Sequence, residues 1–123
     1  MGYESSVPRF CAINRRLEQT LARRVWRADR FGTRLWGLLG KRALSPHEGL
    51  HLVPCSAIHT FFMGFAIDAV FLDAEGRVVK LFPALPPWSW AQMAGAHSVL
   101  ELPAGRIQSS GTDVGDAIAF HQV

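Results

Sequence analysis

Residues 48–72 read EGLHLVPCSAIHTFFMGFAIDAVFL, and the parsing of this stretch decides the fold. From Leu50 to Leu72 it is the longest apolar run of the chain, yet His51, Pro54, His59, Gly64 and Asp68 interrupt it. A membrane span needs about 20 apolar residues without such breaks. The run therefore reads as core strands, and no membrane association is expected. GLHLVPC (49–55) is one strand, with Pro54 at its end, where proline is tolerated. AIHTFFM (57–63) and AIDAVFLD (66–73) are two more. The pair Gly64–Phe65 between them suits a two-residue type II′ turn, which takes glycine at its first central position. The expectation is a β-hairpin.

Working outward, AEG (74–76) turns into a fourth strand, RVVKLFPAL (77–85). PPWSWAQMAGA (86–96) reads as a Pro- and Trp-rich loop, and SVLELP (98–103) as a fifth strand. AGRIQSSG (104–111) reads as a short helix stopped by Gly111. Val114–Gly115–Asp116 turns into a last strand, AIAFHQV (117–123). Upstream, SPHEG (45–49) is a linker. Phe31–Leu39 reads as a second short helix, ended by Gly40 and the cations Lys41 and Arg42. Val25–Trp26 gives LARRVWRA (21–28) a β preference, and residues 1–14 look like a loose tail. The organisation expected is a tail over 1–20 and one β-rich domain over 21–123. The fold class is mainly β: a small β-sandwich or flattened barrel of about six or seven short strands with two short helices.

The bulk properties agree with one domain. The chain has 123 residues, 49% hydrophobic and 19% charged, enough apolar matter to build a core at that length. Cys11 and Cys55 lie far apart and read as free thiols, since a disulfide scaffold this short needs more cysteines. The first 14 residues carry no apolar signal segment, so a cytoplasmic location is expected. Charge is uneven: residues 1–42 hold ten Lys/Arg against three Asp/Glu, a net +7, and residues 43–123 hold three against seven, a net −4. Arg15, Arg16, Arg23, Arg24 and Arg27 are thus candidates for binding a polyanion. No helix-turn-helix, zinc-finger or aromatic RNA-binding motif accompanies them, so nucleic acid is not the expected partner.

The stretches GLLGKRALSPHEGLHLVPCSAIHTFFMGFAIDAVFLDAEGRVV, ALPPW, VLELPAG and VGD, in that order and spacing, resemble domain of unknown function 192, also filed as an uncharacterised protein family. The resemblance runs from about Leu35 to Phe120. It implies a mainly β fold of sandwich type and brings no established activity, substrate or cofactor. The sequence departs from the expected pattern at two positions. Gly64 stands where a basic residue follows the Met, and Ala66 stands where a proline precedes the Ile-Asp pair.

If Gly64–Phe65 closes a hairpin, His59 and Asp68 lie diagonally on one face, with β-carbons roughly 5–8 Å apart. Asp68 could then orient His59 as a base, and Cys55 or Thr60 could act as nucleophile, although Thr60 alternates to the other face. The same two residues could equally be a buried polar pair that satisfies itself and nearby backbone groups. A metal reading would combine His51, Cys55 and His59 with Asp68 or His121. Strong zinc signals use tighter paired ligands, so no metal is expected, and no motif points to a cofactor. Trp88 and Trp90, on a stretch stiffened by Pro86–Pro87, offer flat apolar faces for a ligand or partner, or else cover an open end of the sandwich. The leading expectation is a small binding or accessory module with a groove near His59 and Asp68, edged by Trp88 and Trp90, for a small polar ligand or a partner protein. The alternative is a hydrolase- or transferase-type enzyme using His59 and Asp68 with Cys55.

Overall fold

The computed structural model describes residues 7–29, 43–61 and 63–123. The helix expected at Phe31–Leu39 lies outside them. Among the described residues, nine strands and one short helix are formed: β1 (Phe10–Asn14), β2 (Gln19–Ala28), β3 (Glu48–Leu52), β4 (Ala57–His59), β5 (Ile67–Leu72), β6 (Val78–Leu85), β7 (Trp90–Gln92), β8 (Ser98–Pro103), α1 (Arg106–Ser110) and β9 (Ile118–Gln122). Seven strands make one sheet in the order β6-β5-β8-β3-β2-β1-β9, and β4 with β7 makes a separate two-stranded sheet. Pairing is antiparallel except between β2 and β3, which run parallel. Among the described residues no helix is long and apolar enough to cross a membrane.

The mainly β expectation holds, with three changes of detail. Residues 10–20 are not tail: FCAIN forms β1, which pairs with both β2 and β9. The Pro- and Trp-rich segment contains β7, paired with β4 in the register Ala57↔Gln92, Ile58↔Ala91 and His59↔Trp90. The expected hairpin between AIHTFFM and AIDAVFLD is absent, because β4 and β5 belong to different sheets. The physical reason lies in β5. All six residues of IDAVFL are buried, so this strand needs a partner on each side and cover on each face. It sits between β6 and β8.

The sheet curls into a half-barrel. On one face Val25, Val70, Val78, Leu100, Ile107 and Ile118 form a single cluster. Val78 on β6 and Ile118 on β9 come from opposite edges of the sheet, so this face is the concave one. The edges approach at a bridge between Arg77 and Ala117. Gly76 makes that approach possible: its φ is +82°, and a β-carbon there would stand 2.9 Å from the Ile118 carbonyl oxygen. On the convex face Trp26, Leu50, Ile67, Phe71 and Val99 pack under Ile58 and Ala91 of the small sheet. Two-sided cover explains why β3, β5 and β8 lack clean alternation in sequence.

The turn before β9 is held by Asp116, which is 5% exposed. Arg16 Nε donates to its Oδ1 at 2.6 Å, and Arg16 Nη2 and Asn14 Nδ2 donate to Oδ2 at 3.0 and 2.9 Å. The backbone N–H of Asp113 adds a bond of 2.8 Å. The Arg16 bond holds the Asp116 carboxyl well below the usual carboxylate range, against the opposing effect of burial, and Asn14 and the Asp113 amide lower it further. A carboxylate depressed by folding contributes stability above its unfolded value, about pH 4, and that contribution is lost as pH falls towards the folded value. Acid denaturation monitored by circular dichroism should therefore be shallower in Asp116→Asn than in the parent chain between about pH 4 and pH 2. Identical slopes would show that the network carries no acid-linked stability.

Candidate functional site

The structure separates the residues expected to act together. Asp68 lies on the concave side of β5, 0% exposed. Its Oδ1 accepts backbone N–H bonds from Ala84 at 2.8 Å and Gly105 at 3.1 Å, and its Oδ2 accepts one from Ile107 at 2.7 Å. His59 lies at the end of β4 on the outer, exposed face of the small sheet. The Cys55 thiol is buried and donates to the Ala57 carbonyl at 3.1 Å. Asp68 therefore does not orient His59, and Cys55 is not brought to either. A cavity of about 420 Å³ places Cys55 on the same wall system as Asp29 and His97 instead. Of the other residues of the metal reading, His51 stacks on Phe120 away from His59, and His121 lies exposed on β9. Among the described residues, no three His, Cys, Asp or Glu side chains converge on one ion position.

The basic segment is also divided. Arg16 is committed to Asp116 and to the Gly111 carbonyl. Arg27 packs its guanidinium over the Phe10 ring at 3.9 Å. Arg15, Arg23 and Arg24 are exposed, and Arg24 Nη2 donates to Ser45 Oγ at 3.4 Å.

What the structure does bring together is His59 with both tryptophans. In β4 and β7 the central residues Ile58 and Ala91 point into the convex core, so His59 and Trp90, directly paired, face outward. The His59 and Phe61 rings stack at 4.9 Å, and Phe61 and Trp88 stack at 5.8 Å. Trp88 is 62% exposed, Trp90 61% and Phe61 39%. Exposed rings gathered in this way form an apolar patch with a polar edge, the kind of surface that marks recognition. His59 Nδ1 accepts the Phe61 N–H at 3.2 Å, so in the neutral ring the proton sits on Nε2 and is presented outward as a donor.

The patch rests on a rigid mount. Thr60 is 0% exposed. Its Oγ1 donates to the Pro86 carbonyl at 2.6 Å and accepts the Ser89 N–H at 2.8 Å. Its backbone N–H donates to the Ser89 carbonyl, and its carbonyl accepts the Trp88 N–H. These bonds hold Trp88 at a φ of 62°, a left-handed conformation that costs a non-glycine residue on the order of 1–3 kcal/mol. Sequence reasoning named Thr60 only as a weak nucleophile. Its value is as a clamp, visible only once β7 is seen to run beside β4.

The comparisons with known proteins agree with this architecture. The family model DUF192, described as "Uncharacterized ACR, COG1430", matches residues 12–120. A UPF0127 protein of Thermococcus sibiricus is 34% identical over 114 residues, covering 86% of this chain and 71% of that protein. The UPF0127 protein PH1112 of Pyrococcus horikoshii is 36% identical over 100 residues, covering 76% and 84%. Among solved structures, a "putative transcription regulator" of Sinorhizobium meliloti 1021 superposes with a TM-score of 0.76 at 20% identity, over 98% of this chain and 96% of that one. A protein of unknown function from Novosphingobium aromaticivorans gives 0.73 at 18% identity, over 92% and 84%. At these identities the structural likeness is one of fold.

Two substitutions separate clamp from scaffold. Asp68→Asn keeps an acceptor oxygen but sets amide hydrogens against a backbone N–H. It should cost about 3 kcal/mol, lowering the melting temperature by on the order of 10 °C; an unchanged melting temperature would exclude the scaffold role. Thr60→Val strands the Pro86 carbonyl and the Ser89 N–H and should cost about 2 kcal/mol. It should also broaden the Trp88 and Trp90 side-chain NMR signals. Sharp, unshifted signals would mean that Thr60 does not hold the patch.

Proposed function

The chain belongs to the DUF192 family, and we propose that it works as a small binding module whose contact surface is the outer face of the two-stranded sheet. The observation that carries this reading is the exposure of Phe61, Trp88 and Trp90 beside His59 on a segment that Thr60 clamps in place. Rings buried against the core would be accounted for by packing alone. These rings are not needed for packing, because Ile58 and Ala91 already fill the inner side.

The chemistry favours a ligand with one flat apolar face and a hydrogen-bonding edge. The tryptophan faces take the first through dispersion and area burial, and the His59 Nε2–H addresses the second. A small polar molecule with such a face meets the requirement, and so does an exposed loop of a partner protein. Rigid aromatic anchors bind with little ordering cost, which fits a surface held in its strained shape before any ligand arrives. The groove expected at His59 and Asp68 is thereby relocated, with His59 kept and Asp68 assigned to the scaffold.

A fluorescence-monitored screen of small polar metabolites and sugars against the intact chain should yield ligands that change tryptophan emission. The double substitution Trp88→Ala, Trp90→Ala should abolish their capture while moving the melting temperature by no more than about 2 °C, as expected for exposed side chains. Ligands that bind the double variant as well as the parent, or a fall in melting temperature of about 10 °C, would remove this surface from contention.

A further inference from the structure

The half-barrel has two ends, and they are finished differently. At one end α1 lies across the opening, with Ile107 in the concave core and its backbone N–H held by Asp68. The other end opens where β2, β3, β5 and β8 present Arg27, His51, Leu72 and Ser98. Here a cavity of about 390 Å³ is lined by these residues together with Asp73, Glu75, His97 and Phe120. The mouths of β-barrels are a preferred place for small ligands. This cavity shares no residue with the aromatic surface described above.

His51 makes this end unusual. It is 6% exposed and stacks face to face on Phe120 at 4.0 Å with 9° between the rings. Arg27 Nε, which can only donate, is 3.3 Å from His51 Nδ1. Nδ1 must therefore carry the lone pair, and the neutral ring carries its proton on Nε2. Burial, then Arg27, then His97 push the His51 pKa down to about 3, so the ring is neutral throughout the physiological range. The Nε2–H is buried and has no hydrogen-bond partner among the described residues. A buried donor without an acceptor costs on the order of 1–3 kcal/mol, and native folds keep few of them without cause.

Charged groups of both signs line the cavity beside this donor. The Arg27 guanidinium lies over the Phe10 and Phe120 rings, with its Nε against His51. Asp73 and Glu75 sit on the turn at the rim. Asp73 Oδ1 accepts the Glu75 and Arg77 backbone N–H groups and so fixes that turn. Arg77, in the same turn, directs Nη1 to the Gly115 carbonyl. An acceptor is called for inside, and a cation is favoured outside.

We propose that the open end of the half-barrel is a binding site for a zwitterion of amino-acid size, its carboxylate accepting from His51 Nε2–H beside Arg27 and its ammonium facing Asp73 and Glu75. A purely anionic ligand would meet the acidic rim unfavourably, and a purely cationic one would leave the inner donor unmatched. Nε2 is screened from bulk water, so the proposed site requires an oxygen to reach it through the cavity that His51 lines, with a small shift of rim side chains such as the exposed His97.

The test is a ¹⁵N–¹H NMR titration of the full chain at neutral pH with glycine, acetate and methylammonium, each alone. Glycine should shift and saturate the His51 Nε2–H signal and the backbone amides of Gly76, Ser98 and Phe120. Acetate should do so more weakly and methylammonium not at all. His51→Phe, which keeps a ring against Phe120, should abolish the amide shifts. Glu75→Gln, on the exposed turn, should weaken glycine about three- to fivefold without weakening acetate. Silence from all three probes, which would leave the donor to an ordered water, overturns the proposal. So does equal binding of acetate and glycine, or a glycine response that survives His51→Phe.

Discussion

The constraint on which this fold depends is the two-sided burial of β5. No residue of IDAVFL reaches solvent, so its backbone groups must be paired on both edges and its side chains covered on both faces. The first demand places it between β6 and β8. The second demand is met in two ways. The concave face is covered by the sheet itself, which curls until β9 approaches the turn before β6. The convex face cannot cover itself, and the β4–β7 sheet supplies Ile58 and Ala91 for that purpose. Fully burying an Ile side chain stabilises by roughly 1.5–3 kcal/mol. The small sheet is held by this inner side, which leaves its outer residues at liberty to be aromatic. Trp90 faces outward because its neighbour Ala91 must face inward.

Asp68 solves a problem created by the same architecture. Helix α1 is preceded by Gly105 in a left-handed conformation, and no side chain of its own first turn caps it. Ser, Thr, Asp or Asn would be the usual cap. The Asp68 carboxylate, on a strand 39 residues upstream of Ile107, takes over that service and also holds Gly105 and Ala84. One buried anion thus ties β5, β6 and the helix together, with its oxygens satisfied by amides. The surrounding N–H dipoles replace the water it gave up. Nothing in the local sequence of the helix announces this, because the cap comes from another element.

Much of the chain was nevertheless legible. The strands at 21–28, 49–55, 77–85, 98–103 and 117–123 follow from composition and turn residues, and Gly111 marks the end of α1 as a helix stop should. What failed was pairing. Gly64–Phe65 has the local chemistry of a tight turn, but its two flanks differ in kind. AIH alternates between exposed and buried, as a strand with one wet face does, whereas IDAVFL is apolar almost throughout. Strands with unlike faces belong to unlike places in a sheet, and this was present in the residues. Other features could not be read. FCAIN joins the sheet through long-range pairing with β9, and WAQ is a three-residue strand whose partner lies more than 30 positions away. The family likeness carried the mainly β class and nothing about chemistry.

The buried polar groups of this fold fall into two kinds, and the difference separates scaffold from site more sharply than conspicuous residue types do. Thr60, Asp68 and Asp116 looked like chemistry or turn residues in the sequence, and each has its hydrogen-bonding capacity taken up by neighbouring protein groups. A group so occupied would have to break its own bonds before it could bind anything, at a cost that a weak ligand cannot meet. His51 stands on the other side. Its Nδ1 is used by Arg27, its ring is packed on Phe120, and its remaining proton meets no acceptor among the described residues. The fold has fixed the ring's tautomer and orientation and left one donor unanswered. In a core that otherwise answers a buried carboxylate with three amides, an unanswered donor beside a cavity is the place where an outside atom has something to gain.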